Sequence, residues 1–160
     1  VRAYAHRQTG GSYFRSGGSS GGWGSGAAFG AKLTAPDRDV VLASGDGYFM
    51  FGTPMAALWA ANYHKAPYLS VVFVNGSYST GTTGLKRMYP QGVAVGSDNY
   101  SGGIFDPPPD FAKLAEANGG YGRMVTETAD VAPALEEGLR QVRKGSPAVI
   151  AVRVPGPVPV

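Results

Sequence analysis

Val40-Val41-Leu42-Ala43-Ser44-Gly45-Asp46-Gly47 and Val71-Val72-Phe73-Val74-Asn75-Gly76-Ser77 are the two stretches on which the reading of this chain turns. Each opens as a short aliphatic run, the pattern of a fully buried strand. Each ends abruptly in small or polar residues. Asp46 and Asn75 therefore fall at the carboxyl ends of two expected parallel strands, with 28 residues between them. Open α/β sheets bind ligands at that edge. A carboxylate and an amide oxygen are hard donors suited to Mg²⁺ or Ca²⁺. A divalent ion there, beside helix N-termini and glycine-rich backbone, is well placed to hold a diphosphate.

Outward from these runs the chain alternates. Gly24 to Leu33 reads as a helix whose small residues allow close approach to the sheet. Thr53-Pro54 opens another, with Thr53 as N-cap and Pro54 in the first turn. The segment Met55-Ala56-Ala57-Leu58-Trp59-Ala60-Ala61 is apolar nearly all round, which predicts a buried helix with Met55 and Trp59 in the core. His64 falls at its C-terminus and reads as solvated. Asp110 caps a short helix stopped by Gly119-Gly120, Tyr121 to Val125 is a short strand, and Thr128 to Lys144 is an amphipathic helix with Val131, Leu135, Leu139 and Val142 inward. Ala148 to Val152 is the last strand, and the Pro-rich end is a tail. This alternation predicts an α/β fold: a mostly parallel sheet with helices on both faces.

Residues 79–109 lack clear periodicity and read as a long loop, a length that is usually functional or disordered. The Gly/Ser-rich stretch from Thr9 to Gly22 is either a flexible tail or a packed loop; Tyr13, Phe14 and Trp23 argue for packing, being costly to leave in water. Gly24, Gly26 and Gly30 faintly match a dinucleotide fingerprint, but no strand precedes them, so that reading is rejected.

At 160 residues the chain is one domain with room for a core. A net charge of +3 with scattered basic residues argues against nucleic-acid binding. With no cysteine there is neither a disulfide framework nor thiolate chemistry. No long apolar run or signal-peptide pattern points to a membrane, so a cytoplasmic location is the default expectation.

Gly45-Asp46-Gly47, then 27 residues, then Asn75, resembles the thiamin-diphosphate motif, which opens with Gly-Asp-Gly and closes with an Asn pair. The upstream run from Ser19 to Gly30 resembles the segment before that motif in acetolactate synthases, benzoylformate decarboxylases and related 2-oxoacid enzymes. The resemblance extends from about Gly11 to Val154 and implies the diphosphate-binding, C-terminal domain. It implies that Asp46, Asn75 and the Ser77 carbonyl hold Mg²⁺. It implies further that backbone near Gly22 and at Gly45, Gly47 and Tyr48 contacts the diphosphate of the cofactor, with Ser77 and Tyr78 beside it. Tyr78, Ser79, Thr80 and Leu85 become substrate-side candidates. The family's domain opens with a strand upstream of this region, so the chain is expected to be a piece of a larger multidomain enzyme with its first strand missing.

No catalytic residue is assigned. In the resembled family the glutamate that activates the cofactor comes from a pyrimidine-binding domain on a partner subunit, which implies a homodimer or homotetramer and an isolated chain without activity. The sequence departs from the family at three points. Val74-Asn75 stands in place of the Asn pair, Tyr48 in place of a small residue, and Gly21 in place of a bulky one that wedges under the cofactor. Three readings stay open: a lyase or transferase acting on a 2-oxoacid, a catalytically weakened binding module with the same fold, and an unrelated α/β protein.

Overall fold

A computed structural model of the chain describes residues 10–18 and 21–156; the run from Val1 to Arg7, whose sequence can read as a helix end, lies outside them. Four strands, β1 (Val41–Gly45), β2 (Leu69–Val74), β3 (Tyr121–Val125) and β4 (Ala148–Arg153), form one all-parallel sheet in the order β1-β2-β4-β3. The helices are α1 (Trp23–Thr34), α2 (Asp46–Phe51), α3 (Pro54–Tyr63), α4 (Ser79–Met88), α5 (Val93–Gly96), α6 (Phe111–Ala117) and α7 (Val131–Arg143).

Alternation along β2 and β4 sorts the core into two layers. Val72, Val74, Val149 and Ala151 pack with Ala28, Phe49, Leu58, Ala61, Phe111 and Ala115 from α1, α2, α3 and α6. Leu69, Ala148, Ile150 and Val152 pack with Ala134 and Val142 of α7. Both faces are thus covered, one by four helices and the other by α7 alone. Gly138 brings α7 down onto the sheet: a β-carbon there would lie 2.9 Å from Leu69 and 3.1 Å from Ile150. The inward Val131, Leu135 and Leu139 flank this contact, half-buried.

Several expectations are corrected. β1 is not fully buried: Val41 is 53% exposed and Ala43 is also exposed, because α7 does not reach over this edge of the sheet. Met55 and Trp59 are not core; they are 57% and 56% exposed. α3 packs through a narrow stripe of Pro54, Leu58 and Ala61, leaving Trp59 to stack on Tyr63 at 5.1 Å. Thr53 is not a side-chain cap: its φ of 50° is left-handed and its hydroxyl makes no cap bond. Tyr13, Phe14 and Trp23 are all exposed, contrary to the argument for packing.

Residues 79–109 are not loop throughout, since they carry α4 and α5. Gly81, Gly84 and paired threonines weaken the helical pattern there, and no residue of α4 is buried. The expected single helix over 128–144 begins with a separate 3-10 turn, Thr128–Asp130. The C-terminal segment is more than a tail. The Val154 N–H donates to the Val74 carbonyl at 3.0 Å, and the Gly156 backbone abuts Asn75. The Asp110 cap is observed: its carboxylate accepts from the Lys113 N–H at 3.0 Å. His64 is exposed at the end of α3, its ring 5.8 Å from that of Phe29.

Beneath α1, Tyr68 and Ser70 are fully buried, and neither hydroxyl makes a hydrogen bond of good geometry among the described residues. Burial pushes the Tyr68 phenol up from 10.0 to about 12, with the neighbouring Ser25 and Ser70 hydroxyls pulling the other way. The fold keeps the neutral phenol. Its stabilisation is therefore intact below pH 10 and is lost as pH climbs towards 12, where the unfolded chain ionises first. A shift of this size is worth about 2–3 kcal/mol. Tyr68→Phe is expected to flatten this alkaline loss while costing at most ~1 kcal/mol at pH 7, because no partner is orphaned. Urea titrations at pH 7 and pH 11 check it; an equal alkaline loss in both proteins would contradict the assignment.

Candidate cofactor and metal site

The carboxyl ends of β1 and β2 lie side by side, with Gly45 in register with Phe73. The chain leaves β1 directly into α2, so Asp46 begins a helix at the sheet edge. Its carboxylate is 2% exposed and is tied to the neighbouring strand end. Oδ2 accepts from the Asn75 N–H at 3.0 Å and the Gly76 N–H at 2.7 Å, while Oδ1 accepts from the Gly47 N–H at 2.8 Å. Gly76 makes the turn at φ 72°, a conformation glycine adopts without strain.

Asn75 is held in turn. Its Oδ1 accepts from the Ser77 N–H at 3.0 Å and the Ser77 hydroxyl at 3.2 Å, and its Nδ2 donates to the Ser79 hydroxyl at 3.0 Å. The two serine hydroxyls lie 2.6 Å apart. An antiparallel bridge between Ser77 and Ile104 clamps this turn from outside, through Tyr78 N–H to the Gly103 carbonyl and Phe105 N–H to the Gly76 carbonyl. Sequence reasoning placed Ser79 on the substrate side. Its hydroxyl accepts from the Asn75 amide and orients it, a role with no signal beyond the four-residue spacing.

Three observations bear on a cation. Asp46 is a buried carboxylate with no cationic side-chain partner: the four ion pairs among the described residues all lie elsewhere. A buried charge demands compensation, and three N–H groups supply only part of it. Ser77 is 4% exposed, yet no hydrogen bond among the described residues ends on its carbonyl oxygen. Asn75 Oδ1 can exchange the longer Ser77 hydroxyl bond for a metal and keep the N–H. One carboxylate, one amide oxygen and one main-chain carbonyl fit a hard divalent ion. No group of three or more His, Cys, Asp or Glu side chains that could hold a metal occurs among the described residues.

The remaining candidates divide. Gly47 lies under the Tyr78 ring, where a β-carbon would come within 2.6 Å of it, and Tyr78 meets Phe105 edge-on at 4.7 Å. Tyr78 is thus packed against the motif itself. Thr80 and Leu85 are exposed on α4. Gly22 sits at the N-terminus of α1 with φ 86°. It abuts Gly52, at the opposite end of α2 from Asp46.

The family described as thiamine pyrophosphate enzyme, C-terminal TPP binding domain, matches residues 1–152. A putative acetolactate synthase large subunit, IlvX, of Mycobacterium tuberculosis is 32% identical over 139 residues, covering 84% of this chain and 25% of that protein. A benzoylformate decarboxylase of Pseudomonas aeruginosa is 35% identical over 112 residues, covering 70% of this chain and 19% of its own. Among solved structures, the benzoylformate decarboxylase of Polynucleobacter necessarius superposes with a TM-score of 0.66 at 22% identity, over 84% of this chain and 24% of that one, and supports the fold. The thiamine diphosphate-dependent 4-hydroxybenzoylformate decarboxylase of Rhodococcus jostii gives 0.62 at 29% identity, over 84% and 23%. The chain spans about a quarter or less of the length of these relatives. It belongs to the thiamine pyrophosphate enzymes, as their C-terminal cofactor-binding domain.

Proposed function

We propose that this domain binds thiamine pyrophosphate through Mg²⁺ held by Asp46, Asn75 and the Ser77 carbonyl, and forms half of an active site that works on a 2-oxoacid or a related carbonyl substrate. The observation that carries this is the buried Asp46 carboxylate, locked to the Asn75 turn, with no ion-pair partner for it and no hydrogen bond to the Ser77 carbonyl among the described residues. When bound, the cofactor supplies a nucleophilic carbon and an electron sink for chemistry at a carbonyl. The protein's part is to place oxygens. Ser79 and the Ser77 N–H fix the Asn75 amide, and the Gly76 and Asn75 N–H groups fix Asp46. The Gly47 N–H is held by Asp46 Oδ1, so the Tyr48 N–H, in the first turn of α2, is the candidate for a diphosphate oxygen.

Decarboxylation and carboligation are both open to this half-site, because nothing in it distinguishes a lyase from a transferase. The proton-transfer group is assigned to a pyrimidine-binding domain of a partner subunit in a homodimer or homotetramer. This rests on the resemblance to the 2-oxoacid enzymes, in which that group comes from the partner. A cytoplasmic location rests on composition alone. Calorimetry on the full-length protein tests the metal. Binding of thiamine pyrophosphate should vanish in EDTA and return with excess Mg²⁺; affinity indifferent to chelation would overturn the three-oxygen assignment.

A further inference from the structure

Gly21 and Tyr48 look, in sequence, like two separate losses: a missing bulky residue and an oversized one. The structure puts them in contact. A β-carbon on Gly21 would lie 3.0 Å from Tyr48 Cδ1 and 3.3 Å from Cε1, with Phe51 Cδ1 at 3.5 Å. A side chain at 21 would push directly into the ring. Without the ring, Gly21 would leave a gap. The two positions therefore act as one unit, in which a ring rooted on α2 fills the volume beside residue 21.

The ring is also well placed to meet a ligand. Tyr48 is the third residue of α2, two positions after the buried Asp46 and next to Gly47, whose other side Tyr78 covers. It is 46% exposed although Gly21 covers part of it. An aromatic face open to solvent at that place attracts a cationic ring.

We propose that the Tyr48 ring, seated on Gly21, is a positioning surface for the cationic heterocycle of thiamine pyrophosphate. The inference rests on the site reading above, and its test separates the two. On the full-length protein with Mg²⁺, cofactor affinity is measured by calorimetry for Tyr48→Phe, Tyr48→Ser, Gly21→Leu and the double variant Gly21→Leu/Tyr48→Ser. Tyr48→Phe keeps the ring and should lose far less affinity than Tyr48→Ser. Tyr48→Ser should weaken it about tenfold, within the range of a cation over an aromatic face.

Gly21→Leu should weaken binding by displacing the ring, and the double variant should bind less tightly than the parent but no worse than either single, since the leucine fills the vacated space without supplying an aromatic face. Gly21→Ala, whose β-carbon asks only for a small tilt of the ring, provides the same sign of effect if the leucine variant does not fold. A binding analogue with a neutral central ring serves as control: it should lose less than the natural cofactor on Tyr48→Ser. A Tyr48→Ser variant that binds as well as the parent, or a double variant weaker than both singles, overturns this inference alone. A parent protein that binds no cofactor with Mg²⁺ overturns the site reading as well.

Discussion

Asp46→Ala is expected to abolish Mg²⁺-dependent thiamine pyrophosphate binding and to destabilise the fold at the same time. The carboxylate does two jobs in one buried position. It accepts from Gly47, Asn75 and Gly76 N–H groups, and it is the one formal negative charge in the oxygen set. Alanine leaves those N–H groups facing a void. Hydrogen bonds to a charged acceptor are worth about 1.5–3 kcal/mol each, and relaxation returns part of that, so a net loss of about 3 kcal/mol is expected. For a domain of this size that is a fall in Tm of roughly 6–12 °C.

Asp46→Asn separates the two jobs. An amide of nearly the same shape keeps one acceptor oxygen, so the Tm should fall less. The charge is gone, so cofactor affinity in the presence of Mg²⁺ should still fall by about 100-fold or more, a loss of roughly 2.7 kcal/mol in binding. Scanning calorimetry and titration calorimetry on the same preparations read both numbers. Unchanged affinity in the alanine variant would remove Asp46 from the site.

Gly22→Ala is expected to destabilise the fold strongly. A β-carbon at Gly22 would sit 2.6 Å from the Gly52 Cα and 2.9 Å from its nitrogen, so the obstacle is main chain and cannot rotate away. The φ of 86° adds strain for any residue with a β-carbon. Overpacking and the left-handed backbone together put the cost at about 3–5 kcal/mol. Gly52→Ala isolates the steric part. Its φ of −77° suits any residue, yet its β-carbon would meet the Gly22 carbonyl oxygen at 2.6 Å. It should lose about 1–2 kcal/mol less than Gly22→Ala. Urea denaturation ranks the two; a Gly22→Ala protein as stable as the parent would show that α1 and α2 do not cross where the structure has them.

Much of this was legible in the chain itself, for a specific reason. Asp46 and Asn75 follow runs of strand-forming residues, so the sheet carries them to one edge whatever else surrounds them. The Asp110 cap and the four strands depend equally on local pattern. What could not be read depends on what packs against what. β1 has the composition of a buried strand, but only an account of which helix covers which face shows Val41 in solvent. α3 looks buried because its residues are apolar, while its outer side has no neighbour among the described residues. α4 hides because glycines and threonines blur its period. The Ser77–Ser79 pair and the Gly22–Gly52 crossing each join residues that carry no signal separately. Gly21 and Tyr48 read as two defects only while their contact is unknown.

The position of β1 in the sheet has a consequence for how the site holds together. Asn75 hangs from β2, a central strand bonded on both sides, whereas Asp46 hangs from β1, which among the described residues is bonded on one side only. Margins of a sheet fray more readily than its middle. Among the described residues the two halves of the oxygen set thus rest on ground of unequal firmness, and a brief lifting of β1 would part them. An ion bridging the pair acts as a rivet through that seam. Its occupancy should quiet the margin far more than the centre, so that loading is felt as local stiffening long before it registers as a change of shape.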